Sequence, residues 1–139
     1  MKLLLNTFVI IIVMLILDSI WLKLFAGSFF AEQLSQIARL NEQGEWAVRM
    51  VPAVLCYILM GLSLEIFVFR NASVQGLKIT LMYGFFLGFV VFGVFDLTNR
   101  AIIDNYPLQM VVVDMGWGSF LFTATSFIVF QLQSRLSFL

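Results

Sequence analysis

Residues 77–97 read LKITLMYGFFLGFVVFGVFDL, an apolar run whose only charges are Lys78 near its start and Asp96 near its end. A helix needs about 20 mostly apolar residues to cross the hydrocarbon core of a bilayer, and this run meets that length. Working outward, residues 3–25, 50–69 and 108–132 meet it too. Backbone amides in lipid must bond within their own segment, so the four runs predict four spanning helices; they are too long for the strands of a barrel. The expected fold is therefore all-α, an integral membrane four-helix bundle forming one domain over residues 1–139.

Composition agrees. Hydrophobic residues make up 62% of the 139 positions, charged residues 12%, and mean hydropathy is +1.03. A soluble domain of this size has too much surface for its volume to hide so many apolar side chains, so the lipid bilayer is their solvent. Eight basic and eight acidic residues cancel, and no basic stripe points to nucleic acid. Histidine is absent and the single cysteine, Cys56, has no disulfide partner. Those facts remove the usual metal ligand, the usual general base and every Ser-His or Cys-His couple. No cofactor motif and no phosphate-binding glycine loop is present, and the balance leans away from an enzyme.

The connections carry their own signals. Lys2 and the apolar run after it resemble a signal peptide, but the run passes Asp18 and Trp21 and reaches Phe25, so a retained membrane helix is expected. Pro52 and Pro107 sit near the starts of the second and fourth spans, where a missing amide proton does little harm. The segment Arg70-Asn71-Ala72-Ser73 reads as a turn. In residues 27–49, Phe30, Leu34, Ile37 and Ala38 recur at helical spacing opposite Glu32, Gln33, Gln36 and Arg39. This predicts a short amphipathic helix on the membrane surface between the first and second spans, ending near Gly44, with Trp46 at the interface; a plain solvated loop is the alternative.

Four spans bring both ends of the chain to one side. That side carries Lys2, Arg70, Lys78 and Arg135, and the other carries Lys23, Arg39, Arg49 and Arg100. The basic count that governs orientation is tied. The expectation leans to termini in the cytoplasm, and the tie keeps open a dual-topology protein that pairs with itself as a homodimer.

Each span holds one acidic residue: Asp18, Glu65, Asp96 and Asp114. Threaded back and forth, Asp18, Asp96 and Asp114 fall at the same end of the bundle, with Asp114 on the order of 10 Å inward from Pro107 at 1.5 Å per residue. An aspartate at the centre of a spanning helix costs about 2.5–3.5 kcal/mol, less near the ends, so the three must face inward and find partners. Trp21 follows Asp18 by three residues and Trp117 follows Asp114 by three, placing each on its aspartate's face. Asn99 and Arg100 follow Asp96, and an Asp96–Arg100 ion pair is expected. Gly84 and Gly88 form a GxxxG pair, with Gly116 and Gly118 beside Asp114, which marks these faces as packing faces. The repeated Asp-x-x-Trp pattern is too short to argue an inverted repeat. Glu65 stands near the opposite membrane face, on the face of Tyr57 and Gly61; snorkelling or pairing with Arg70 is expected. Met60 and Met82 read as packing residues, and Ser119, Thr123 and Ser126 as bonding back to their own helix or to a neighbour.

The phrases Leu17-Asp18-Ser19-Ile20-Trp21-Leu22, Phe95-Asp96-Leu97-Thr98-Asn99 and Asp114-Met115-Gly116-Trp117-Gly118 resemble a bacterial family of small four-helix membrane proteins catalogued as domain of unknown function two-one-seven-seven. The resemblance spans nearly the whole chain, including the proline before the fourth span. It implies a four-helix protein of the bacterial inner membrane in which Asp18, Trp21, Asp96, Leu97, Thr98, Asn99, Asp114, Trp117 and Gly118 match the family pattern. Arg100 departs from it, since the pattern implies a small or apolar residue there.

Three function classes follow. The first is a protein that binds or transports a proton, a hard cation or a small cationic ligand at a buried layer of Asp18, Trp21, Asp96, Thr98, Asn99, Arg100, Asp114 and Trp117. Oxygen ligands suit sodium, magnesium or calcium, and the indoles suit an organic cation. The second is a structural or interaction subunit whose aspartates are interhelical hydrogen-bond locks. The third, a minor alternative, is an intramembrane aspartyl hydrolase using two carboxyl groups that share a proton.

Overall fold

The computed structural model describes residues 2–35, 37–44, 46–71 and 73–135. Gln36, on the polar face of the expected surface helix, and Ala72, in the expected turn, lie outside them. Helix α1 covers Lys2–Trp21, continues through a π-helical turn at Leu22–Ala26 and runs on as α2, Gly27–Gln33. Helix α3 covers Met50–Leu64 and ends in a second π-helical turn, Glu65–Phe69. A 3-10 turn, Ser73–Gln75, leads into α4, Leu77–Ile102, and α5 covers Leu108–Arg135. Four helical segments are long and apolar enough to span a membrane: Lys2–Gln33, Met50–Phe69, Leu77–Ile102 and Leu108–Arg135. The chain is an all-α four-helix membrane bundle, and no strand interrupts it among the described residues.

The separate surface helix is corrected. Its first residues belong to α2, which is the end of a 32-residue rod rather than an independent element. Gly27 keeps right-handed helical angles and donates to the Leu22 carbonyl, so the chain crosses the π turn without breaking. The helix stops at Leu34, and residues 37–44 form turns that reverse at Gly44, whose φ is +78°. An isolated bridge joins Leu40 to Trp46, and Trp46 Nε1 donates to the Gly27 carbonyl at 3.2 Å. The apolar spacing of Phe30, Leu34, Ile37 and Ala38 is therefore split. Phe30 packs inward from α2, while Ile37 is exposed in the turns.

Two apolar clusters hold the bundle. One, built on Ile10, Met14, Leu64, Val68, Leu121, Phe122 and Val129, fills the middle and the end near Lys2 and Arg135. The other, Ala26, Phe30, Tyr106, Met110 and Val111, closes the opposite end beneath α2. Large side chains on the outer faces, such as Phe8, Phe86, Val94 and Phe120, are exposed, as a lipid-facing surface requires. The most intimate contact is between α4 and α5. A Cβ at Gly88 would overlap the Gly118 carbonyl and one at Gly118 would overlap the Phe92 ring, so the backbones approach as closely as glycine permits.

Candidate functional site

The close seam between α4 and α5 sets Asp96 beside Asp114. Asp96 is 0% exposed and Asp114 9%. Their carboxyl groups stand close enough to act on each other, and Asp18 stands near enough to act electrostatically on Asp114. Tyr106 Oη donates to Asp96 Oδ1 at 2.8 Å, whereas Asp96 Oδ2 is buried with no ordinary donor among the described residues. A carboxylate oxygen only accepts, so two carboxyl groups can bond each other only if one of them carries a proton.

Asp18 is held differently. Its Oδ1 accepts from Trp117 Nε1 at 2.7 Å, and its Oδ2 accepts from the Tyr57 hydroxyl. This single carboxyl group thereby ties α1 to α3 and α5. Trp21 and Trp117 stack face to face, with centroids 4.5 Å apart and planes 7° from parallel, and Trp21 Nε1 is buried without a partner among the described residues. Each indole covers one face of the other, so the pair is closed to a cation seeking a place between them.

The expected Asp96–Arg100 ion pair is corrected. Arg100 is exposed and its guanidinium donates to the Tyr106 carbonyl, while the Tyr106 hydroxyl takes the place at Asp96. The i,i+4 spacing allows the ion pair, but the Tyr106 carbonyl of the 103–107 connection takes the guanidinium instead. Thr98 is exposed, whereas Asn99 is half-buried and stands near enough to act on the Tyr106 hydroxyl. The bundle thus brings together Asp18, Trp21, Asp96, Asp114 and Trp117, with Asn99 near Tyr106; it leaves Thr98 and Arg100 exposed.

Tyr106 and Tyr57 were missing from the sequence-derived set. Tyr106 is 3% exposed although it lies in a connection, fixed between Asn105, at φ +61°, and Pro107. Burial, and then the Asp96 carboxyl, push its hydroxyl above the ordinary tyrosine range, so it remains a donor. A tyrosine beside proline in a short polar connection was the available signal. Among the described residues no three histidine, cysteine or acidic side chains are placed to hold a metal ion.

Glu65 departs from the snorkelling or Arg-paired expectation. It is buried and accepts from the Asn6 side-chain amide, while Asn6 Oδ1 accepts from Gln133 Nε2 at 3.0 Å. Arg70 is close enough to act on its charge but is not its hydrogen-bond partner. Ser119 and Thr123 bond back to the Met115 and Ser119 carbonyls at 2.8 and 2.7 Å, but Ser126 finds no such partner.

The pattern of the family described as "Predicted membrane protein (DUF2177)" matches residues 3–131. The chain belongs to that family. The DUF2177 match takes in all four spans and every aspartate of the cluster. No curated protein and no solved structure matches the chain.

Proposed function

We propose that this DUF2177 protein binds a proton at the Asp96–Asp114 pair, as the core of a carboxylate layer that exchanges protons, or a proton against a small cationic ligand, with one compartment. One observation carries this: two buried carboxyl groups side by side on the α4–α5 seam, with Asp96 Oδ2 lacking a donor among the described residues. Like carboxyl groups in contact share one proton because both cannot ionise at that distance in a medium of low dielectric. The aspartate end would face the extracytoplasmic side, with the termini in the cytoplasm.

A proton fits this layer better than a hard cation. Asp18 spends both oxygens on Tyr57 and Trp117, and Asp96 spends one on Tyr106. Sodium, magnesium and calcium need six or so oxygens around one point, and hydroxyl and indole protons aimed at the carboxylates work against that. An aspartyl hydrolase fits less well, because Asp96 at 0% and Asp114 at 9% exposure leave a bulky substrate no access to both carboxyl groups.

The test is infrared titration of the purified protein, following the C=O stretch of protonated carboxyl groups as pH is raised. The expected result is a pH-dependent band that Asp96→Asn and Asp114→Asn each remove and Asp18→Asn leaves in place. A spectrum unchanged in both of the first two variants would reject the proton site.

The structural reading holds for one residue on a specific observation. Asp18, with a donor on each oxygen from two other helices, is an interhelical lock. Its substitution should loosen the bundle and leave the proton band alone.

A further inference from the structure

Where α1 and α5 meet on the outer face of the bundle, near the aspartate end, a groove opens towards lipid. Leu17, Ile20, Trp21, Val112, Gly116 and Trp117 are among its walls, and its volume is about 640 Å³. Small-molecule sites have volumes of roughly 300–1,000 Å³. One wall is the Trp21–Trp117 stack, fixed from within by the bond from Trp117 Nε1 to Asp18. The groove is thus preformed, and its apolar lining suits a hydrocarbon chain rather than water.

Gly116 keeps the groove open. Gly84, Gly88 and Gly118 each have a neighbouring atom less than 3 Å from where a Cβ would stand, so those glycines allow helices to touch. Nothing lies within 4 Å of a Cβ at Gly116. Glycine is a poor helix residue, and here no close contact within the chain offsets that cost. The room it leaves is open to the bilayer.

Lys23 gives the face its charge. Ile20 also borders a second apolar furrow, along the outer side of α1, which Ile12, Ile16 and Lys23 line with it. Ile20 is therefore a ridge with an apolar channel on each side, and Lys23, three residues on, shares its face. From Leu3 to Leu22 the first helix holds no basic residue. That stretch covers about 30 Å at 1.5 Å per residue, the thickness of the hydrocarbon core, so Lys23 stands at the headgroup level. It is exposed and makes no ion pair among the described residues. A lone ammonium at that depth attracts an anionic headgroup. A second copy docked here about a two-fold axis along the membrane normal would instead set Lys23 against Lys23.

We propose that this face binds an anionic phospholipid: one acyl chain lies in the groove of Trp21, Gly116 and Trp117, the other runs along Ile12 and Ile16, and the phosphate meets the Lys23 ammonium. The bound chain would back the indole whose N–H holds Asp18, and the site is independent of the proton carried by the aspartate pair.

The test is tryptophan quenching in phosphatidylcholine bilayers containing the full chain with Trp46→Phe, which leaves Trp21 and Trp117 as the indoles. Phosphatidylglycerol brominated along its acyl chains is titrated in, with brominated phosphatidylcholine in parallel. Half-quenching is expected at about a fivefold lower mole fraction of the phosphatidylglycerol, the preference that one lysine near the membrane surface supplies. Lys23→Gln should erase that preference and Lys23→Arg should keep it. Gly116→Leu places its side chain in open space, so the bundle still folds, and it should weaken quenching by both lipids. Equal quenching by the two lipids before substitution of Lys23, or a preference that survives Lys23→Gln, overturns the site. Quenching unchanged by Gly116→Leu overturns it as well. Should quenching by both lipids stay low and rise only as the protein is diluted in the bilayer, a second copy covers this face and the lipid site is rejected.

Discussion

Asp18 and Asp96 are the same residue type at the same end of the same bundle, yet their surroundings differ in kind. Asp18 meets a hydroxyl on one oxygen and an indole N–H on the other, from two different helices. Asp96 meets one hydroxyl and then a second acid. A carboxylate satisfied on both oxygens stabilises the arrangement that satisfies it. A carboxyl group left with another carboxyl group is placed to share a proton, which is the proposed role of Asp96 and Asp114. What separates the two is the partner that helix packing delivers, since the sequence around each is only an aspartate in an apolar run.

That contrast can be broken from several directions. The largest effect is expected at the seam that makes the pair. Gly88→Leu or Gly118→Leu must push α4 from α5 and should cost about 3 kcal/mol or leave no folded protein, read as the midpoint of unfolding in mixed detergent micelles. Next comes Asp18→Ala, which strands the Tyr57 hydroxyl and the Trp117 N–H. About 2 kcal/mol should be lost on the same curve, with the protonated-carboxyl band intact. Asp96→Asn should give the mirror image, a lost band with stability within about 1 kcal/mol of the parent, because an amide bonds Asp114 without needing the proton. Should Asp18→Ala erase the band, or Asp96→Asn collapse the bundle, the two carboxyl environments would not be distinct. Tyr106→Phe removes one donor from Asp96, and a loss of about 1 kcal/mol is expected by thermal denaturation followed with circular dichroism. The smallest effect belongs to Thr98→Ala, which should stay within about 0.5 kcal/mol because the side chain is exposed.

Hydropathy made the four spans legible, because the length of an apolar run is a property of the chain alone. Threading then placed Asp18, Asp96 and Asp114 at one end, and the three-residue spacing from Asp114 to Trp117 put an indole within reach of the layer. Which acid that indole serves depends on how α5 is rotated against α1, and periodicity within one helix carries no such information. Trp117 therefore serves Asp18, not the aspartate of its own helix. The same limit hid Tyr57, which lies on another helix, and Tyr106, which reaches back from a connection into the core. Arg100 shows the reverse error. Its spacing from Asp96 was correct for an ion pair, but the guanidinium bonds the backbone carbonyl of Tyr106 instead. The amphipathic spacing after Gly27 was realised only in part: the π turn carries the first helix on through Gln33, while Ile37 and Ala38 fall in the turns beyond it.

The length of that first helix has a mechanical consequence. Thirty-two residues without a break span about 48 Å, against about 30 Å of hydrocarbon, so the rod stands proud of the bilayer. Phe30, near its tip, packs in the same cluster as Tyr106, whose hydroxyl holds Asp96. A thinner bilayer tilts such a rod and a thicker one draws it upright, and the tip moves farthest. A change in the tilt of the first helix would therefore bear on the cluster in which Tyr106 is packed.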